Sequence, residues 1–80
     1  MAHQRKKSDI RQRLGFAVKM RREELELTQE ALAAEVGIHR TYLSDVERGS
    51  RNICLLNLER LAESLSMSLV ELFGKVEEQR

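Results

Sequence analysis

Residues 29–49, with the sequence QEALAAEVGIHRTYLSDVERG, predict two short helices joined by a tight turn. The first helix has an inward stripe, because Leu32 and Val36 are one helical turn apart. Ala33 lies beside this stripe and is small enough to let a second helix pack closely. Gly37 follows the last apolar position, where a residue in the left-handed conformation commonly ends a helix.

The second helix of this stretch has an apolar side and a polar side. Ile38, Leu43 and Val46 continue the apolar pattern, and Gly49 closes the helix. This is a helix-turn-helix arrangement, whose second helix can lie in a DNA major groove. The hydrogen-bonding side chains opposite the apolar stripe are Arg40, Thr41, Ser44, Asp45 and Arg48. That polar face favours a DNA-reading helix over the alternative, an ordinary helical hairpin with a short loop.

The length and composition predict one domain in a reducing compartment. Eighty residues bury a small core, so dimerisation is an expected source of additional stability. No apolar run approaches the ~20 residues that cross a bilayer, and the amino end lacks the apolar region of a secretory signal. Cys54 has no second cysteine to pair with. We therefore expect a cytoplasmic protein without membrane contact.

Charge is distributed unevenly along the chain. The formal net charge is +1, but residues 1–22 hold eight Lys and Arg against Asp9 alone. A near-neutral total can hide a basic face that contacts phosphates. Residues 1–8 are basic and lack periodicity, which predicts a flexible arm. This arm either adds DNA contacts or is a solvated tail.

Further helices are predicted on both sides of the helix-turn-helix. The first should run over about residues 9–25, with Asp9, or Ser8 before it, as its N-cap, and Thr28 should cap the second. A fourth is expected over about residues 54–64. Its inward residues are predicted to be Leu55, Leu58, Leu61, Ala62 and Leu65. Asn52, in the loop before it, is expected either to cap this helix or to bind a phosphate.

A fifth helix is predicted to begin at Ser68, which forms an S-x-x-E capping box with Glu71. The apolar residues of this helix cover more than one face. One face can satisfy the core, and the other would be left exposed, which usually marks a partner surface. The domain should then span residues 9–76, followed by a frayed polar tail at 77–80.

Residues 10–73 resemble the Cro/repressor-type (XRE-like) family of helix-turn-helix DNA-binding domains, through the segment LTQEALAAEVGI and the ERG that ends the recognition helix. The run HRTYLSDVERGSRNI is similar to controller proteins of bacterial restriction–modification systems. The resemblance implies an all-α fold, a compact five-helix bundle like the DNA-binding domain of lambda repressor. It also implies a sequence-specific transcriptional regulator that acts as a homodimer on an inverted-repeat operator, as activator and repressor.

The resemblance also assigns roles to residues by motif position. Arg22 matches the family arginine that pairs with the glutamate of ERG, here Glu47, and this pair would tie the first helix to the recognition helix. Base contacts are implied for Arg40, Thr41, Ser44 and Asp45. Contacts to the DNA backbone are implied for Gln29, Tyr42, Arg48, Arg51 and Asn52. The homodimer seam is expected at Met67, Leu69, Val70, Phe73 and Val76. His39 and Cys54 stand where the family often has Ser or Asp, which predicts weak helix caps.

The polar face suits particular base edges. Arg40 can donate two hydrogen bonds to guanine O6 and N7. Thr41 can contact a thymine methyl group or a base edge. Asp45 repels phosphates, yet it can accept from cytosine N4 or act by excluding wrong bases. RNA polymerase is a further expected partner, blocked by a dimer bound over a promoter and recruited by one bound just upstream.

Other function classes account for fewer of these features. A phage-type repressor, an antitoxin or a protein-interaction module could share the fold, but the basic arm and Arg40 favour DNA. An enzyme is not expected, because the sequence lacks a phosphate-cradling glycine loop, paired catalytic carboxylates and a nucleophile with an orienting base. Cys54 with His39 is better explained as a buried or capping cysteine than as a catalytic pair. The histidines lack metal-ligand spacing, so neither a metal nor a cofactor is expected.

Overall fold

A computed structural model of the chain describes residues 9–80, and this part consists of five α-helices joined by short loops. The helices are α1 (Ile10–Glu24), α2 (Gln29–Val36), α3 (Arg40–Glu47), α4 (Leu55–Ser64) and α5 (Leu69–Glu78). The predicted all-α, five-helix architecture is thereby confirmed. The arm predicted at residues 1–8 lies outside the described residues.

Side chains fix the starts of three helices. Asp9 caps α1 and Ser68 caps α5, each within a capping box, and the Thr28 hydroxyl caps α2. The hydrogen-bonded Arg11 guanidinium lowers the pKa of the Asp9 carboxyl to about 2, so this cap stays charged down to acidic pH. These three starts lie where the capping patterns of the sequence predict them.

The other two helices begin without side-chain help. His39 and Cys54 are the N-cap residues of α3 and α4, and neither side chain accepts a hydrogen bond from the helix start. The weak caps predicted at these two positions are confirmed. Asn52 is exposed and lies two residues before the cap of α4, so it does not cap that helix. Tertiary packing therefore has to stabilise the first turns of both helices.

One apolar face of each helix contributes to a single core. Helix α1 packs against α3 and α5, while α2 packs against α3 and α4. The largest fully buried side chains are Leu32, Leu43, Leu61, Leu65, Leu72, Val18, Val46 and Val76. Burying a side chain of this size stabilises the fold by about 1.5–3 kcal/mol, so these eight residues carry much of the stability of a small domain.

Two sequence predictions about the carboxyl-terminal half are wrong. Leu55 is 76% exposed instead of facing inward, and the buried face of α4 begins one turn later, at Leu58. The tail predicted to be frayed at residues 77–80 is helical over its first two residues, since α5 continues to Glu78. The Gln79 amide then donates to the Arg13 carbonyl at 2.8 Å, which ties the end of the chain to α1.

Helices α1 and α3 approach most closely at Gly15. A Cβ at this position would lie 2.3 Å from the carbonyl oxygen of Val46 and 2.5 Å from that of Glu47. Both are backbone atoms that no side-chain rotation can move, so any side chain here would push the helices apart. Gly15 therefore allows α1 to rest directly on the carboxyl end of α3 and to hold that end in place.

Candidate nucleic-acid interface

The turn between α2 and α3 sets the direction of the recognition helix. Gly37 ends α2 with φ +86°, a left-handed conformation in which a residue with a Cβ is strained. The N–H groups of Gly37 and Ile38 both donate to the carbonyl of Ala33, at 2.9 and 3.0 Å. Ala33 is itself buried in the core. The turn is thus closed by backbone hydrogen bonds, and α3 begins at Arg40.

Helix α3 buries one side and presents the other. Leu43 and Val46 are buried in the core, one turn apart. Arg40 and Thr41 are exposed at the amino end, followed by the half-buried Ser44 on the next turn. The structure therefore places these three predicted base-contact residues along one outer face, where hydrogen-bonding groups can reach a major groove.

A buried ion pair ties α1 to the carboxyl end of α3. Arg22 Nε donates to Glu47 Oε2 at 2.7 Å, and Arg22 Nη2 donates to Glu47 Oε1 at 3.1 Å. The side chains are only 11% and 4% exposed, and the third nitrogen of Arg22 donates to the Leu27 carbonyl at 2.8 Å. The hydrogen-bonded Glu47 carboxylate raises the pKa of Arg22. The structure thus brings together the pair that the ERG motif implied.

The same carboxylate is linked to the amino end of α3. Glu47 Oε1 also accepts from the amide Nε2 of Gln29 at 2.9 Å. The other end of this amide, Oε1, accepts from Arg40 Nη1 at 3.4 Å, and Arg40 Nε lies 3.8 Å from Glu30. Gln29, to which the resemblance assigned a contact with the DNA backbone, is half-buried. Its side chain connects Glu47 to Arg40. The sequence gives no signal for a contact between residues 18 positions apart.

Two arginines converge on Asp45 at the far end of α3. Arg51 Nη2 donates to Asp45 Oδ2 at 3.3 Å, and Arg48 Nη2 donates to the other oxygen, Oδ1. Arg48 Nη1 also donates to the Ser44 hydroxyl at 2.6 Å. We call Asp45, Arg48 and Arg51 the Asp45 cluster. Three residues that the sequence treated as separate contacts therefore form one charged unit.

Tyr42 contacts the Arg51 side chain of this cluster. The Arg51 guanidinium carbon lies 4.5 Å from the centre of the Tyr42 ring, within the range of a cation–π contact. The Tyr42 hydroxyl accepts from the Asn57 amide of α4 at 3.3 Å. Sequence reasoning missed Asn57, since an asparagine inside a helix carries no signal for such a contact. Asn52, the residue after Arg51, is exposed.

The predicted dimer seam is only partly available at the surface. Val70 is 83% exposed, while Met67, Leu69 and Phe73 are half-buried against the core. Val76 is 0% exposed, so its assignment to the seam is corrected: its side chain fills the core of the protomer itself. Leu56 is more than half exposed on α4, so it and Leu55 add apolar surface that the sequence reasoning had not assigned to a partner.

Residues 9–80 show no membrane-spanning helix and no metal-binding cluster. None of the five helices has the length and apolar character needed to cross a membrane. No group of three or more His, Cys, Asp and Glu side chains in this range is arranged to hold a metal ion.

Known proteins share both the sequence and the fold. The helix-turn-helix family profile matches residues 18–72. The chain is 41% identical over 73 residues to the control protein C.MunI of a Mycoplasma species. The aligned region covers 90% of this chain and 99% of that protein. It is 45% identical over 58 residues to the control protein C.BamHI of Bacillus amyloliquefaciens, covering 69% and 72% of the two chains.

A solved structure of the restriction–modification controller protein C.Esp1396I, a tetramer in complex with its natural 35 base-pair operator, has the same fold. Its TM-score to this chain is 0.82 at 34% identity, covering 91% of this chain and 96% of that one. These relatives are regulators and not enzymes. The five helices, the polar outer face of α3 and these similarities place the chain in one family. The chain belongs to the Cro/repressor-type (XRE-like) helix-turn-helix family of DNA-binding transcription regulators.

Proposed function

We propose that the chain is a controller protein of the restriction–modification type, which binds an inverted-repeat operator as a homodimer and regulates transcription beside it. The observation that carries this proposal is the outer face of α3, a polar surface on a helix fixed at both ends. The Gly37 turn fixes its start, and the Arg22–Glu47 pair fixes its end. Similarity to C.MunI over nearly the whole of both chains supports the controller role.

Arg40 is the residue that we propose reads a base pair directly. Its guanidinium is half exposed, and its contacts to Gln29 and Glu30 are long, at 3.4 and 3.8 Å. Both contacts are weak enough to be exchanged for guanine O6 and N7 at small cost. Thr41 and Ser44 follow on the same face and offer hydroxyl groups that can donate or accept. Together these side chains span the amino-terminal half of α3, which enters the groove deepest.

The sequence-independent part of the affinity would come from phosphate contacts. Arg48, Arg51 and Asn52 lie at or beyond the carboxyl end of α3, and Tyr42 lies in its first turn. All four are proposed to contact the DNA backbone. Lys19 and other basic residues of α1 add positive charge. Because each neutralised phosphate releases a counterion, affinity should fall steeply as salt concentration rises.

A second copy of the chain would complete the site. We propose that the exposed Val70, with the half-buried Leu69 and Phe73, seats the partner's α5. A twofold dimer of this kind can place two α3 helices one DNA turn apart, at about 34 Å. Bound over a promoter, such a dimer blocks RNA polymerase, and bound just upstream it can recruit polymerase.

Selection of duplexes from a random-sequence library by the purified full chain tests this proposal. We expect the recovered duplexes to share an inverted repeat whose half-site centres are about 10 base pairs apart. Affinity for the selected duplex should exceed that for a shuffled duplex of the same composition, and both should weaken with salt. Recovered duplexes without a common sequence, or an affinity that does not depend on salt, would contradict the proposal.

A further inference from the structure

We infer that Asp45 is a positioning residue that restrains Arg48 and Arg51 and thereby keeps the protein from binding DNA of any sequence. In this role Asp45 sets specificity by limiting non-specific affinity, without reading a base itself. The inference rests on the proposed function, because it concerns how the same interface distinguishes an operator from other DNA.

The Asp45 carboxylate binds both arginines. Its Oδ2 accepts from Arg51 at 3.3 Å, and its Oδ1 accepts from Arg48. The carboxylate is 22% exposed, whereas the Arg48 side chain is 62% exposed. The backbone carbonyl of Asp45 also accepts from the Ser50 N–H at 3.0 Å and from its hydroxyl at 3.2 Å. The loop after α3 is therefore folded back onto Asp45, with both arginines oriented along the protein surface.

Arg51 is restrained from a second direction. The Tyr42 ring lies against its guanidinium at 4.5 Å, and the Asn57 amide fixes the Tyr42 hydroxyl to α4 at 3.3 Å. A guanidinium held between a carboxylate and an aromatic face has two contacts to give up before it can turn toward a phosphate. An arginine that was simply a flexible phosphate ligand would need neither the carboxylate contact nor the aromatic contact.

Restraining the arginines lowers the positive charge that the cluster presents to phosphates. Asp45 offsets one of the two positive charges, so the outer end of α3 presents a net charge of about +1 instead of +2 toward phosphates. On random DNA, an arginine would exchange its carboxylate contact for a similar charge-assisted contact with a phosphate, at little gain. On an operator, the base contacts of α3 hold the backbone close enough for both arginines to bind phosphates. Asp45 therefore penalises the wrong DNA more than the right one.

The experiment measures binding of the full chain to the selected duplex and to its shuffled counterpart over a series of salt concentrations. Asp45→Asn should bind the shuffled duplex about tenfold more tightly, with a salt slope steeper by about one unit, because an arginine becomes free to contact phosphate. The gain on the selected duplex should be smaller, so the ratio of the two affinities falls. Glu59→Gln, which removes one exposed carboxylate from α4, is the matched control and should leave the ratio unchanged.

A mutant cycle, in which the two arginines are replaced together, then tests whether they mediate the effect. Adding Asp45→Asn to the variant with Arg48→Ala and Arg51→Ala should give no gain on the shuffled duplex relative to that variant. If Asp45→Asn fails to fold, Arg51→Gln alone is informative. Because Asp45 already restrains Arg51, loss of the Arg51 guanidinium should weaken binding to the shuffled duplex less than twofold.

Four outcomes would overturn the inference. The first is an Asp45→Asn protein that binds the selected duplex more weakly and the shuffled duplex unchanged, as expected if Asp45 accepts from a cytosine. The second is a gain that persists without the arginines, and the third is a tenfold loss of shuffled-duplex binding in Arg51→Gln. Equal affinity of the wild-type chain for both duplexes would instead overturn the proposed function. A wild-type preference that Asp45→Asn leaves unaltered in ratio and salt slope would overturn this inference alone.

Discussion

Replacing Glu47 with alanine will lower the free energy of unfolding by about 3–5 kcal/mol, because Arg22 would remain buried and charged without its partner. The Arg22 side chain is only 11% exposed, and two of its three guanidinium nitrogens donate to Glu47. Gln29 would also lose an acceptor at 2.9 Å. A domain of this size has a total stability of about 5–10 kcal/mol, so the variant should be largely unfolded in mild urea. Urea titration followed by circular dichroism measures the change.

The exposed ion pair between Glu77 and Arg80 provides the matched control. It also joins an arginine to a glutamate, through one contact at 3.3 Å, but both side chains are more than half exposed. Glu77→Ala should therefore change stability by less than about 0.5 kcal/mol. Replacing both members of the buried pair, as Arg22→Met with Glu47→Leu, should recover most of the loss, since no unpaired charge remains. A loss below about 1 kcal/mol for Glu47→Ala would contradict the role given to the pair.

Val70→Glu will turn the proposed dimer into a folded monomer and weaken binding to the inverted-repeat duplex by about a hundredfold or more. Val70 is 83% exposed in the protomer, so the added carboxylate costs little within one chain. In a dimer it would be buried next to apolar groups and next to its own symmetry mate, both of which are unfavourable. Each protomer would then bind its half-site alone.

Sedimentation velocity, thermal unfolding and binding titration together measure this effect. The variant should sediment as a monomer while keeping the helical signal of the wild type. Ala34→Glu places the same new charge at an exposed position of α2 and should remain dimeric. A Val70→Glu protein that stays dimeric and binds DNA normally would show that the seam lies elsewhere on the chain.

The elements predicted from sequence are those that depend on local patterns. The Gly37 turn, the Asp9 and Thr28 caps and the capping box of α5 are set by neighbouring residues and lie where they were predicted. Periodicity also identified the inward face of most helices. It failed at Leu55, because periodicity gives the direction of a side chain but not whether a neighbouring helix covers it.

The connections within the interface depend on the fold. Gln29 reaches Glu47 across 18 positions, and Asn57 reaches Tyr42 across 15. Arg51 was predicted as an independent phosphate ligand, yet it shares the carboxylate of Asp45 with Arg48. Long polar side chains choose partners from everything within reach, and spacing in the sequence does not reveal those partners. Sequence therefore proposes candidate residues for the site, but it does not reveal how their side chains group.

Binding to duplexes with 7-deazaguanine in place of single guanines most directly tests whether α3 reads base edges. This analogue removes the N7 acceptor and leaves Watson–Crick pairing intact. We predict that one substitution in each half-site weakens wild-type binding about tenfold, whereas Arg40→Ala, already weaker by about 1–3 kcal/mol, is insensitive to it. If no guanine position affects the wild type, or if Arg40→Ala remains equally sensitive, then Arg40 does not read guanine and the central claim fails.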